Sequence, residues 1–322
     1  MNRIMGFENC STKNEFILTN EIVEIIKKTF NCSKDDIKNV ELLKKGMTNK
    51  SFSFCINYDK FIMRIPGEGT DELINRDEEA QVYEKIKDLK LCDDLYFINA
   101  ENGYKITKYI PDSRVCDCNN QDDLKKAMKR LYDFHKMNLK VDHEFDIFGK
   151  INFYESLWTS KSCYSDYQET KEKVFKLKSF IDNTKKDYCL THIDAVPDNF
   201  LFCKVGNEED IRLIDWEYAG MQDPQVDIAM FCIYALYDKK EQVDNIIDLY
   251  FMNTPDKKAS IEERTKIYCY VSSCGFLWSN WCEYKKQLGI DFGDYALKQY
   301  DYAKTYYDYA MAEINKIGNK NE

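Results

Sequence analysis

Proline, glycine and histidine are scarce in this sequence, and long apolar runs are missing. Five prolines and twelve glycines in 322 residues leave no room for a low-complexity linker. Cysteine is plentiful, but the thirteen copies are odd in number and none forms a C-x-x-C pair; the closest two are Cys116 and Cys118. That argues against a structural zinc site and for buried or surface thiols in a reducing compartment. The N-terminal stretch MNRIMGFENCSTKNEF has no apolar core of signal-peptide length. The apolar run FCIYALY (231–237) has seven residues, far short of the roughly 20 that span a bilayer. A cytosolic protein with no membrane insertion is the expectation. Excess positive charge is absent too: 46 basic side chains stand against 56 acidic ones, a formal net charge of −10. This excludes a general nucleic-acid binder, which needs a basic face for phosphates, and is compatible with a cationic substrate.

What is present is a core: 44% of residues are hydrophobic and 14% aromatic, enough to fold at this length. Thr19 or Asn20 can cap a first helix carrying Ile22, Val23, Ile25 and Ile26. Residues 39–67 read as three short strands, with turns at Gly46 and at Asn57–Asp59. In KFIMRI, alternation puts Arg64 on the face opposite Met63. Residues 72–89 switch to helical spacing, and LYFINA and GYKITKYI form a strand pair that Pro111 ends. From 121 the pattern is helical, with Leu124, Met128, Leu131 and His135 on one side. The one later strand signal is a hairpin over 199–217, its turn at Gly206–Asp210. The fold class is therefore α+β with two lobes. Residues 1–108 form a β-rich lobe preceded by a helix, and residues 109–322 a larger helical lobe carrying one hairpin.

The chemistry concentrates in Thr191-His192-Ile193-Asp194-Ala195-Val196-Pro197-Asp198-Asn199, which contains H-x-D-x-x-x-x-N; Asp215 follows sixteen residues later in IDWE. An antiparallel hairpin returns the chain to its starting edge, so Asn199 and Asp215 end near each other. An amide oxygen and a carboxylate there can hold Mg²⁺, a hard cation that takes oxygen ligands. Asp194, on the loop before the hairpin, is placed to accept a proton from an alcohol. Upstream, the turn Gly46-Met47-Thr48-Asn49 offers backbone N–H groups to phosphates. Arg64 on the third strand supplies a cation, and Glu79 on the next helix its partner, with Glu78 competing for that role. A catalytic Asp, a metal-binding Asn and Asp, and a strand cation paired to a helix carboxylate are the parts of a kinase. Here Arg replaces the usual lysine and brings a planar fork.

These stretches together — GMTN, RIPG, INR-x-x-E, H-x-D-x-x-x-x-N and IDWEYAGMQDPQVDIA — resemble the choline/ethanolamine kinase family. The nearest likeness is to bacterial Lic-type choline kinases, whose fold is that of aminoglycoside phosphotransferases and related to protein kinases. The resemblance runs from about residue 20 to about residue 310. Its most specific part is Asp215-Trp216-Glu217-Tyr218-Ala219-Gly220 with Asp223-Pro224 and Asp227, where protein kinases carry D-F-G. It implies ATP, Mg²⁺ and an amino-alcohol acceptor, with Asp227 bracing the catalytic loop.

A quaternary ammonium has no N–H to donate, so its recognition depends on aromatic faces and a diffuse negative field. Glu217, Tyr218, Trp278, Trp281 and Tyr300 are the candidate acceptor-binding residues, with Tyr295 an alternative to Tyr300 and Tyr302 also at hand. One departure from the resembling family stands out. Some eukaryotic members carry an acid seven positions after the residue matching Asp227, where this chain has Tyr234. His192 is expected to orient the catalytic loop, and His135 to be a core histidine. The expected activity is transfer of the γ-phosphoryl group of ATP to choline. The alternatives are ethanolamine or another small alcohol as acceptor, a catalytically dead kinase fold that binds a partner, or a small-molecule binding module.

Overall fold

The computed structural model describes residues 18–43, 49–67, 70, 72–206 and 208–319. The chain opens with helix α1 (Asn20–Phe30), started by the Thr19 hydroxyl, which accepts from the Ile22 N–H at 3.3 Å. Five strands follow in one antiparallel sheet: β1 (Lys38–Leu42), β2 (Asn49–Ile56), β3 (Asp59–Pro66), β4 (Leu95–Ile98) and β5 (Lys105–Lys108), in the order β1-β2-β3-β5-β4. Helix α2 (Arg76–Ile86) sits between β3 and β4 in sequence. It begins four residues later than its helical spacing suggests, because the Asn75 side chain caps it by accepting from the N–H groups of Asp77 and Glu78.

The two faces of this sheet do different work, as alternation requires. Phe52, Phe54, Phe61, Met63 and Ile106 pack with Ile22 and Ile26 of α1 into a closed apolar cluster. Arg64 and Lys105, paired across β3 and β5, point the other way, to Glu79 and Tyr83 of α2. One face is sealed, and the other faces the rest of the molecule.

The remainder is mainly helical. It comprises α3 (Gln121–Lys136), α4 (Ile147–Ser156), α5 (Tyr167–Asn183), α6 (Gln225–Tyr234), α7 (Lys240–Phe251), α8 (Ile261–Gln287) and α9 (Asp294–Gly318). Helix α8 is the axis, buried along nearly all its length between α4, α5, α6 and α9. Gly275 lets α9 approach it: a Cβ there would lie 2.7 Å from the carbonyl oxygen of Gln299. No helix of the described residues is long and apolar enough to cross a membrane.

The hairpin is β7 (Phe200–Val205) and β8 (Glu208–Leu213). Its pairing continues to Val205↔Glu208, so Glu208–Asp210 belong to the strand and the expected turn is shorter. Gly206, at φ +65°, supplies the left-handed conformation that the tight turn needs. A second strand pair escaped the sequence reading: β6 (Cys189–Thr191) and β9 (Gly220–Gln222) pair antiparallel just outside the hairpin.

Candidate active site

Strand β6 delivers the chain into the segment His192–Asn199. Its first turn is held by Asp227, in the first turn of α6. The two carboxylate oxygens of Asp227 accept from the backbone N–H groups of His192 (2.8 Å) and Ile193 (2.7 Å). Ile193 needs that grip. It sits at φ +65°, a region that costs a β-branched residue on the order of 1–3 kcal/mol and persists only when its surroundings over-determine it. His135 contacts Asp227 through Nε2 at 3.0 Å and Tyr250 through Nδ1 at 2.8 Å. It is a core histidine that also fixes the clamp. His192 contacts the Ile214 carbonyl at 2.9 Å and packs on Trp216, tying the loop to the end of β8. Burial pushes its pKa down, which suits a neutral, orienting ring.

The hairpin brings Asn199 and Asp215 together as its geometry demands: Phe200 pairs with Leu213, and the Ile214 N–H donates to the Asn199 carbonyl at 3.0 Å. The Asn199 amide nitrogen donates to the Asp194 carbonyl (2.8 Å) and to Asp194 Oδ2 (3.0 Å). Both its donors are thereby committed, and the amide oxygen is the end left to act as an acceptor. Burial, then the negative charges of Asp215 and Glu217, push the Asp194 carboxyl well above the usual carboxylate range. The Asp215 side chain is 32% exposed.

Arg64 faces this cluster from β3. One end of its guanidinium pairs with Glu79; the other donates to Asp215 Oδ1 and Glu217 Oε2, each at 2.9 Å. Glu79, and not Glu78, makes the pair. Arg76 closes a ring, reaching Glu79 at 3.1 Å and Glu217 at 3.5 Å. Lys105 adds a third cation, 3.3 Å from Glu79. Burial alone would raise Glu79; Arg64, Lys105 and Arg76 overcome it and hold the carboxyl at about 2.

Arg64 and Lys105, with Glu79 and Arg76 behind them, line a cavity of about 380 Å³ between the sheet and the helices. Asn49, Asp194, Asn199, Asp215 and Glu217 line it as well; the Asn49 amide donates to Glu217 at 3.0 Å. Gly46 and Thr48 of the expected phosphate turn lie outside the described residues. One end is aromatic: Tyr218, Trp278 and Trp281 line it, with Tyr234 and Tyr295. Tyr218 and Trp281 meet Trp278 edge-to-face, at 5.4 and 5.7 Å between centroids. The Trp278 N–H is anchored on the Met230 sulfur.

Tyr300 is the correction. It does not line the cavity. Its hydroxyl bonds to Asp166 and Thr170, both at 2.9 Å, and its ring stacks on Tyr164 at 3.7 Å. Tyr295, the alternative from the same helix, takes the lining position. Tyr234 was noted only as a departure, yet its spacing carried the signal. Seven residues is two helical turns, so Tyr234 shares the Asp227 side of α6. Arg76 stands in the quoted INR-x-x-E but was given no role, and Lys105 and Asp93 were missed altogether.

The donor set fits Mg²⁺. Among the described residues no three or more His, Cys, Asp or Glu side chains gather as a metal cage. One carboxylate and one amide oxygen beside a surplus of negative charge suit a cation that fills its remaining positions with water and phosphate oxygens.

A family model for choline/ethanolamine kinase matches residues 40–304. Protein LicA of Haemophilus influenzae is 31% identical over 266 residues, covering 80% of this chain and 76% of that protein. The crystal structure of choline kinase LicA from Streptococcus pneumoniae superposes with a TM-score of 0.76 at 29% identity, covering 89% of this chain and 99% of that one. A structure of LicA in complex with AMP gives 0.75 at 29% identity, over 89% of this chain and 98% of that one. Aminoglycoside phosphotransferase APH(4)-Ia, 14% identical with a TM-score of 0.61 over 88% of this chain and 98% of that one, shares the fold. The protein is a phosphotransferase of protein-kinase-like fold, and the chain belongs to the choline/ethanolamine kinase family.

Proposed function

We propose that this protein is an ATP-dependent choline kinase, with residues 1–108 as its nucleotide-binding lobe and residues 109–322 carrying catalysis and the acceptor. The observation that carries the choice of choline is the aromatic end of the cavity. Tyr218, Trp278, Trp281, Tyr234 and Tyr295 line it, and Glu217, the carboxylate nearest in sequence, is engaged by Arg64 and Asn49. A primary ammonium wants carboxylates or water around its N–H groups; a trimethylammonium wants ring faces and a diffuse negative field. Asp215 and Glu217 supply the field.

In this reading the choline hydroxyl lies against Asp194, which takes its proton as the oxygen attacks the γ-phosphorus and ADP departs. Arg64 turns its fork to the phosphates, held in place by Glu79. The Asn49 end of the 46–49 turn lies beside it. Asn199 and Asp215 would hold Mg²⁺, which when bound neutralises phosphate charge. Asp227 keeps Asp194 where the hydroxyl arrives. With ATP as phosphoryl donor, we also propose a cytosolic setting.

The runner-up acceptor is ethanolamine, and the non-enzymatic alternative is a binding module. A panel of amino alcohols assayed with ATP and Mg²⁺ separates all three. Choline is expected to give the highest kcat/KM. A higher value for ethanolamine transfers the assignment to the primary amine, and no alcohol-dependent ATP consumption leaves the binding module.

A further inference from the structure

Four buried charges form a ring beside the cavity, and its two arginines share the same two carboxylates. Arg64 reaches Glu79 Oε1 through Nη2 and Glu217 Oε2, at 2.9 Å, through Nη1. Arg76 reaches Glu79 Oε2 at 3.1 Å and that same Glu217 Oε2 at 3.5 Å, both through its own Nη1. All four side chains are 8% exposed or less. Of the four, Arg64 and Glu217 line the cavity, and Arg76 lies behind them. Arg76 is firmly seated there. Its Nη2 donates to the Thr70 hydroxyl oxygen at 3.2 Å, and Gly103 packs so closely that a Cβ would stand 2.5 Å from its Nε.

The proposed reaction takes this ring apart. Arg64 is to turn to the phosphates while keeping Glu79, and Asp215 is to turn to the metal. Arg64 then leaves Glu217, whose side chain is 2% exposed, too buried for bulk water to replace the guanidinium. A buried carboxylate that loses its counter-ion opposes whatever draws the counter-ion away. The loss would also fall beside a polyphosphate, where a bare negative charge repels the ligand. Arg76 is placed to prevent both. Its Nη1 already faces the oxygen that Arg64 gives up, and a shift of about 0.5 Å brings the pair to ordinary hydrogen-bonding distance.

We propose that Arg76 is a positioning residue for nucleotide binding: it takes over Glu217 as Arg64 turns to the phosphates, so that Arg64 is released without stranding a buried carboxylate. Arg76 touches neither phosphate nor metal in this account and acts only through Glu217. Its contact with Glu79 keeps it in register with Arg64 throughout, because the two arginines grip opposite oxygens of one carboxylate. This assignment rests on the nucleotide-binding reading of the cavity and adds the residue that frees its phosphate cation.

A double-mutant cycle on ADP affinity tests it, read by calorimetry on the full chain with Mg²⁺ and no acceptor. In an otherwise wild-type chain, Arg76→Met should weaken ADP binding at least about tenfold, because Glu217 then competes for Arg64 without relief. In a Glu217→Gln background there is no charge to take over, and the same substitution should cost less than about threefold. Thermal melting shows whether each variant is folded; if Arg76→Met does not fold, the same cycle run with Arg76→Gln decides. Equal losses in the two backgrounds would mean that Arg76 acts through Glu79 or through the fold alone. That result, or an unchanged ADP affinity in folded Arg76→Met, overturns the role of Arg76 toward Glu217 and leaves the kinase reading standing. Failure of folded wild type to bind ADP overturns both.

Discussion

Arg64 on β3 and Asp215 just past β8 are joined across the cavity at 2.9 Å, although 151 residues separate them in sequence. The contact couples the sheet to the hairpin at the point where the proposed phosphates and metal meet. It also sets a competition: Asp215 cannot lean wholly on Arg64 and wholly on a cation.

That competition gives the first prediction. Asp215→Ala removes the carboxylate proposed to hold the metal, and activity should be lost even at raised Mg²⁺. Asn199→Ala removes a neutral amide ligand and should be partly rescued by excess Mg²⁺. Titrating Mg²⁺ in both variants checks this; equal, unrescued losses would contradict a ligand role for Asn199.

Glu79 makes stability depend on acid. Its pKa stands at about 2 in the folded protein against about 4.5 for an ordinary glutamate, because the unfolded chain does not hold Arg64, Lys105 and Arg76 around it. A depressed carboxylate contributes stability that is full above about 4.5 and drains as pH falls toward about 2. Glu79→Gln lacks that contribution, so wild type should lead it in Tm near neutrality. The lead should shrink between about pH 4.5 and 2. A lead constant across that window contradicts the ion-pair account.

Trp278 is the test of the aromatic end. Trp278→Leu keeps apolar bulk but removes most of the ring quadrupole, an interaction of roughly 0.5–2 kcal/mol. The KM for choline should rise by about two- to thirtyfold, with a much smaller change for ATP. An unchanged choline KM with a lowered Tm would make Trp278 a packing residue and move attention to Trp281, Tyr218 and Tyr295.

What could be read in advance followed from short-range geometry. Alternation in KFIMRI put Arg64 opposite Met63, and the structure buries Met63 against α1 while Arg64 turns to α2. Antiparallel return put Asn199 near Asp215. What could not be read depended on packing. Strands β6 and β9 have three residues each, too few to show a period. Helix α9 carries Tyr295, Tyr300, Tyr302, Tyr306, Tyr307 and Tyr309; helical spacing puts Tyr295, Tyr302, Tyr306 and Tyr309 on one face and Tyr300 and Tyr307 on another, and nothing in the sequence says which face meets the cavity. Tyr300 was therefore indistinguishable from Tyr295 until the lean of α9 on α8 was known. Arg76 looked like an ordinary helix-start cation, because its partner Glu217 lies 141 residues away (217 − 76).

The central claim is that Asp194 takes the proton from choline as phosphoryl transfer occurs. Phosphocholine formation by Asp194→Asn, measured beside its affinity for ADP and its Tm, tests it most directly. Asn fills the same space and remains beside Asn199, so nucleotide affinity and fold should stay near wild type. Turnover should fall by about 10²–10⁴-fold, the usual cost of losing a positioned base. Near-wild-type turnover in a folded, nucleotide-binding Asp194→Asn would contradict the account.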